Sequence, residues 1–501
     1  MYSGLGFMYK IRQIKYSANS VSIQVYTIEK RKRIIVRHIG TATNDQEKID
    51  LLILANDFIE KVCKQALLFE KNQPSKILYV NQTEFVGTHY NFLYELISKL
   101  IAKIGFDKIQ NNILLDLVIL RMVEPASKLR SIELLHEYFG IKHRRQSYYE
   151  SAPQWLNLKS KTESISLEFA KKHYAFNYDI LFYDVTTLYF ETFEEDELRK
   201  NGFSKDSKSQ QPQILVALMV TKEGFPIAYE VFSGNTFEGH TIIPVVKSFI
   251  LKNNVKEFTV VADAAMISSD NILALKDNRI NYIVGARLAN LSNELIAQID
   301  ITISREDGKN VRIKTDNGYL ICSYSSLRYR KDKHEMEKQI KKAQFVIDNP
   351  SKNKKLKFTK VKDQQVMLNQ KLIDKNQKLL GIKGYYTNLE EKVADNKTII
   401  DRYHELYKIE QAFRISKSDL QTRPIFHFKE NPIKLHLLIC FVALVIAKHV
   451  ELQTNVSIRK FIHEAKRVTD ALLKNKITGE VFTIRAELNP LMVEILTKLS
   501  C

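Results

Sequence analysis

The chain has 501 residues, 45% hydrophobic and 27% charged, with 76 Lys and Arg against 57 Asp and Glu and a formal net charge of +19. That length divides into two to four compact units, and the ordinary apolar content excludes a broadly disordered protein. The basic excess points to a polyanionic partner, most simply nucleic acid, although a Lys-, Ile- and Asn-rich bias with little Gly contributes to it. Cys63, Cys322, Cys440 and Cys501 lie far apart without CxxC spacing, so they define neither a zinc site nor a disulfide framework and favour a reducing cytosol. The N-terminus lacks a secretory apolar core, and Met8 is an alternative start.

Residues 22–40 (SIQVYTIEKRKRIIVRHIG) read as two strands around a charged turn, followed by a helix over roughly 45–69. Helical periodicity returns over 90–104 and 110–122, and over 124–141 with Pro125 and Ser127 as start signals and Gly140 as a stop. These short helices suit either a helix-turn-helix reader of DNA or a plain helical bundle.

From residue 180 the pattern changes. ILFYDVTTLYF (180–190) and QILVALMVT (213–221) read as strands, and Lys222-Glu223-Gly224 turns into PIAYEVFSG (226–234) to close a hairpin. A helix over about 240–253, the strand FTVVAD (258–263), a helix over about 268–278 and the strand YIVGARL (282–288) follow. That order is the signature of an α/β fold with a ribonuclease H-like mixed sheet: an antiparallel meander extended by parallel crossover units. Between 288 and 395 the pattern breaks into a β-rich insertion: ITISREDG and VRIKTDNGYLICSYSS as strands, a charged helix over 330–347 and a final strand in GIKGYYTNL. Lys352, Lys354, Lys355, Lys357, Lys360 and Lys362 make an acid-free run that is either a solvated face or a track for a phosphate backbone. The apolar run from Leu435 to Ala447 is too short to span a bilayer and fits a buried helix.

Chemistry enters with Tyr403, Glu410 and Lys417, spaced seven residues apart on one predicted helix, so that they form an axial stripe. Leu406, Ile409, Phe413 and Leu420 form an adjacent apolar stripe that can bury. In the fold order above, Asp184 in the first strand, Asp263 at the end of the fourth and Glu410 on this helix converge at one edge of the sheet. Phosphodiester chemistry at a pair of hard divalent ions needs such a cluster of carboxylate oxygens. A lone Asp at a strand end usually caps a turn, and a lone helical Glu is usually a surface residue, so it is the three together that carry weight. No GxxxxGK or GxGxxG loop appears, and the His-Glu pairs at His136, His334, His404 and His463 lack the second His of a zinc protease helix. His427 and His436 flank the final apolar helix and read as structural.

The chain resembles the DDE transposases of bacterial insertion sequences, in the group with a β-strand insertion and a Tyr-Arg-Glu-Lys signature. The resembling stretches are YDVTTLYFE from Tyr183, GFSKDSKSQQPQILVALMV (202–220), VVADAAM (260–266), the Tyr403–Leu420 helix, RPIFHFKENPIKLHLLICFVAL (423–444) and the basic strand near 33–40. The resemblance implies metal-dependent cutting at the ends of a mobile element and joining of the freed 3′ hydroxyl to target DNA. It implies Asp184, Asp263 and Glu410 as ligands of two Mg²⁺ ions, for which Mn²⁺ can substitute, and Tyr403 and Lys417 as holders of a DNA phosphate. The signature Arg falls on Leu406, so Lys408 or Arg414 would supply that charge. Ala265 stands where glycine is common, and the only tryptophan, Trp155, lies outside the insertion; Tyr319, Tyr324 or Tyr329 would have to stack on a flipped base.

The expected division is an N-terminal, mainly helical DNA-binding region over 1–175, the first part of the catalytic core over 176–290, the insertion over 291–390, the second part of the core over 391–455 and a helical C-terminus over 456–501. The expected partners are terminal inverted repeats, target DNA and a second copy of the chain in a homodimer, acting in the cytoplasm at the nucleoid and not at a membrane. A ribonuclease H-like nuclease without strand transfer and a decayed transposase that only binds DNA are the alternatives.

Overall fold

The computed structural model describes residues 8–17, 20–61, 82–203, 210–255, 258–266, 268–349, 356–362 and 365–500. The chain forms two compact units, one of Met1–Leu96, Leu134–Lys142 and Ile462–Thr497, the other of Ile97–Glu133, His143–Phe461 and Lys498–Cys501.

The smaller unit opens with an antiparallel meander of Lys10–Ser17, Ser20–Glu29 and Lys32–Ala42. Lys30 and Arg31 both take positive φ in the tight turn between the last two strands, the backbone twist that suits a two-residue hairpin. The helix Asp45–Lys61 packs on the meander through Leu51, Leu54, Ala55 and Phe58 against Ile23, Val25 and Ile39. Its start is a reciprocal cap: Glu47 N–H donates to Asn44 Oδ1 at 2.8 Å while Thr43 N–H donates back to Glu47 Oε2 at 2.7 Å. The rest of the expected 45–69 helix lies outside the described residues.

The C-terminal segment adds strands to its expected helices. Asp470–Asn475 pairs antiparallel with both Val481–Arg485 and the distant Thr83–His89. Pairing across so long a separation leaves no local trace in a sequence. Arg485 fastens this small sheet: Nε and Nη2 donate to both oxygens of the fully buried Asp470 at 2.7 and 2.9 Å, and Nη1 and Nη2 to Glu95 at 2.8 and 2.9 Å. Arg485→Met is expected to destabilise this unit by about 3 kcal/mol, because it strands a buried carboxylate. The measurement is the earliest transition in thermal denaturation of the full chain, and the double variant Arg485→Met, Asp470→Asn should recover much of the loss.

The larger unit is built on one eight-stranded mixed sheet. In spatial order its strands are Asn310–Thr315, Gly318–Tyr324, Ile382–Thr387, Asn281–Ala286, Thr259–Ala262, Ile180–Tyr189, Gln213–Val220 and Pro226–Ser233. Ile180–Tyr189 runs parallel to Thr259–Ala262, which runs parallel to Asn281–Ala286, and every other pairing is antiparallel. The expected ribonuclease H-like arrangement is therefore present: a meander whose first strand continues into two parallel crossovers through the helices Ile242–Asn253 and Ser269–Asp277. Gln213–Val220 is buried at every position, the mark of a strand covered on both faces.

The insertion joins this sheet instead of standing apart. Three of its strands extend the edge beyond Asn281–Ala286. The helix Ser326–Asp348, the hairpin Thr359–Lys362 with Gln365–Leu368 and the helix Gln370–Lys378 form a lobe around Met336, Ala343, Phe358 and Ile373. ITISREDG is not a strand: Asn293–Thr302 is a helix capped by Ser292 that buries Ile296 and Ile299, and the four-residue alternation at its end is too short to define a strand.

The long helix Glu430–Thr454 packs on the helix Asn112–Val123 and on Pro226–Ser233. It is long and apolar enough to cross a membrane, but 94% of its most apolar window is buried inside the protein, so it serves as a core helix. Asn112–Val123 buries residues around its whole circumference, from Leu114 to Val123. A helix buried on every face within its own chain has no free face to lay in a DNA groove. Trp155 is fully buried core.

Candidate active site

Asp184 occupies the middle of a central strand whose other positions, Tyr189 apart, are buried. Tyr183 faces the opposite side and donates its hydroxyl to Thr241 Oγ1 at 2.7 Å, which fixes the strand's rotation and turns Asp184 outward. The parallel register pairs Tyr183 with Ala262, so Asp184 and Asp263, the residue that directly follows the shorter strand, are carried to the same edge of the sheet. Neighbouring strands lie about 4.8 Å apart, so the two carboxylates share one small region. Asp184 Oδ1 accepts the Val185 N–H at 2.7 Å. Asp263 is exposed, and its carbonyl accepts Met266 N–H at 3.0 Å in the turn that ends the strand.

The third acid sits on a helix that differs from the expected continuous one. Asn396–His404 ends, the chain tightens through bonds from Leu406 N–H to Tyr403 O and from Lys408 N–H to Glu405 O, and Tyr407–Arg414 begins, followed by a π-helical turn over Ile415–Asp419. Tyr403, Glu410 and Lys417 therefore lie on three segments and do not form one straight stripe. Neither Pro nor Gly marks the breaks; buried Leu406, Ile409, Phe413 and Leu420 hold the apolar face against the core across them. Such π turns cluster at functional sites. The Tyr407–Arg414 helix packs on the Asp184 strand, and Glu410 is exposed in its first turn.

Tyr403 is buried, and its hydroxyl donates to Asp263 Oδ1 at 3.0 Å. Burial first, then the charge of Asp263, push this hydroxyl far above the usual tyrosine range, so it remains a donor. The contact requires Gly285: a Cβ there would stand 2.5 Å from the Tyr403 hydroxyl. Lys383, on the strand that closes the insertion, holds its ammonium 4.7 Å from the centre of the Tyr403 ring and 5.5 Å from that of Tyr385. Burial and Arg328 press its pKa down while Asp263 and Glu410 hold it up, so all three groups share one electrostatic neighbourhood.

Of the four expected phosphate holders, Tyr403 is committed to Asp263. Lys408 is committed too, donating to Glu405 Oε1 at 2.9 Å and to the Lys222 carbonyl at 2.8 Å. Arg414 is exposed, and Lys417 is half-buried in a small pocket with Thr186, Phe413 and Thr422. Leu406, at the signature Arg position, is buried. Lys383 is the cation that sequence reading missed; its strand was legible, but nothing local ties residue 383 to residue 263. Lys357 and Lys360 are exposed, while Lys352, Lys354, Lys355 and the side chain of Lys362 lie outside the described residues. Among the stacking candidates Tyr324 is buried, and the Arg312 guanidinium covers the Tyr319 ring at 4.5 Å.

Among the described residues no three His, Cys, Asp or Glu side chains are grouped tightly enough to hold a metal as they stand. The donor chemistry nevertheless fits a hard divalent cation: two adjacent carboxylates with a third on a neighbouring element, all oxygen and mutually repelling.

A family model described as the transposase DDE domain matches residues 175–446, more than half of the chain and enclosing all three acids. No curated protein matches the chain. Among solved structures the chain is similar to a piggyBac transposase in a synaptic complex with hairpin DNA, at 11% identity and a TM-score of 0.35 over 75% of this chain and 69% of that one. On the strength of the family match, this chain belongs to the transposases that carry the DDE domain.

Proposed function

We propose that this DDE transposase recognises the terminal inverted repeats of a bacterial insertion sequence, cuts the DNA there and joins the freed 3′ hydroxyl to target DNA. The observation that carries the reading is the side-by-side placement of Asp184 and Asp263, with Tyr403 bonded to Asp263 and Lys383 in the field of both Asp263 and Glu410. Asp184, Asp263 and Glu410 would hold two Mg²⁺ ions, with Mn²⁺ able to substitute. Bound there, the ions supply charge screening for the phosphate and an activated oxygen nucleophile.

The chain's own groups have separate tasks. Tyr403 keeps one Asp263 oxygen occupied as a hydrogen-bond acceptor and so orients the other. Lys383 meets a non-bridging oxygen of the phosphodiester being cut. Arg414, at the end of the Glu410 helix, and Lys417, in the π turn that follows it, hold flanking phosphates, and Lys408 acts only through the turn it stabilises. Two protomers pair the two ends, in the cytoplasm at the nucleoid.

The test is cleavage of supercoiled DNA carrying the element's own ends, with Mg²⁺ or EDTA, by wild type and Glu410→Gln. Cuts at the element boundary that need Mg²⁺ and vanish in the variant are expected, together with joining of a pre-cut end. Cuts spread along the plasmid would instead mean a general nuclease, and binding without cutting a decayed transposase.

A further inference from the structure

A second set of cationic side chains, separate from the carboxylates, comprises Arg121 on the helix Asn112–Val123, Lys128 in the segment that follows it, and His427 and His436 before and on the Glu430–Thr454 helix. Lys128 is 6% exposed, and among the described residues its ammonium makes no hydrogen bond or ion pair. The groups that act on Lys128, His427 and His436 are one another, Arg121 and Cys440; no carboxylate is among them. Arg121 is fixed beside them by the carbonyls of Ala126 at 2.9 Å and Gln421 at 3.4 Å. His436 Nε2 donates to the Thr422 carbonyl at 2.9 Å, and its ring lies 6.0 Å from that of His427.

Burying cations together without a counter-charge is unfavourable. Burial accordingly brings Lys128 down to about 7 and His427 to about 4, which leaves both ready to gain charge when an anion arrives. His427 is half-buried, and its chain neighbours Phe426 and Phe428 are 62% and 66% exposed, so the strap between the π turn and the long helix turns its imidazole inward and two rings outward. Arg423, at the root of the strap, stacks 4.1 Å from the ring centre of Tyr189, five residues beyond Asp184 on the same strand. Five residues of strand span roughly 17 Å, which sets Arg423 at the far end of the Asp184 strand from the carboxylates.

We propose that Lys128 and His427, with Arg121 fixed beside them, form a binding site for a backbone phosphate of the DNA strand several nucleotides from the bond being cut, with Phe426 and Phe428 packing on the sugars and bases next to it. The proposal rests on the DNA-cutting function above, but it concerns a different set of residues. Lys128 and His427 each donate one N–H to the phosphate, and the neighbouring rings make the contact tolerant of sequence.

The test begins with inorganic phosphate and the full-length, DNA-free protein. Phosphate is expected to raise the Tm of wild type and to leave Lys128→Met and His427→Gln unmoved. Lys128→Met keeps the aliphatic volume, and the half-exposed His427→Gln guards against misfolding of the first variant. In DNA binding, the salt dependence of log K for either variant should fall by about one unit of slope, uniformly across sequences. Equal phosphate shifts in all three proteins would overturn the site. A shift confined to wild type with unchanged salt slopes would overturn its assignment to DNA. Failure of wild type to bind the element's ends would count against the proposed function, while the phosphate titration would still decide the site.

Discussion

Asp184→Asn is expected to bind the element's ends as wild type does and to cut them about 10³-fold more slowly, a loss of about 4 kcal/mol in transition-state stabilisation. The substitution keeps the size of the side chain and the oxygen that accepts the Val185 N–H, so the strand has no reason to shift. It removes one of two negative charges that the parallel register forces together. In the metal-free protein that repulsion is a cost, so the variant should be at least as stable as wild type, as is common where a site is arranged for function. Mn²⁺ should raise the Tm of wild type and have little effect on the variant. The measurements are single-turnover cleavage, gel shift and thermal denaturation with and without Mn²⁺. Wild-type cutting by Asp184→Asn would remove the carboxylate cluster as the seat of the chemistry.

The core was legible because its signals are local. Each strand from Ile180 to Ala286 is a short β-branched run bounded by turns, and the hairpin turn at Gly224 takes the positive φ that its Lys-Glu-Gly sequence invites. Fold order alone then brings Asp184 and Asp263 to one edge, which is why two acids 79 residues apart (263 − 184) could be paired without coordinates. Three features escaped for one shared reason: tertiary contacts decide them. The kink after His404 and the π turn at Ile415 carry no Pro or Gly and follow from anchoring Tyr403 on Asp263 while Ile409 stays in the core. The small sheet of the other unit joins Thr83–His89 to Asp470–Asn475. The insertion's strands were read from their pattern, but that pattern could not show that Ile382–Thr387 would pair with Asn281–Ala286 and carry Lys383 toward Tyr403.

Lys383 is for that reason the residue whose removal says most about the insertion. Lys383→Met is expected to leave binding of the ends within a few-fold of wild type and to slow cutting by about 10²-fold, the range seen when one charged donor to a developing anion is lost. Methionine preserves the stem that packs on the Tyr403 and Tyr385 rings, so the change falls on charge alone. Two roles are open to an ammonium placed between carboxylates and a phosphate, and they differ in sign. If Lys383 only balances Asp263 and Glu410, its loss should strengthen Mn²⁺ binding without slowing cutting at saturating metal, since a competing cation has gone. If it holds the phosphate, cutting stays slow at any metal concentration. Tyr403→Phe provides the contrast: it frees an Asp263 oxygen without touching the phosphate, so its deficit of about 10-fold should shrink as Mn²⁺ is raised. A metal-independent defect in Lys383→Met beside a metal-rescued one in Tyr403→Phe would make the inserted strand part of the catalytic machinery; rescue of both would reduce Lys383 to a counter-ion of Asp263 and Glu410.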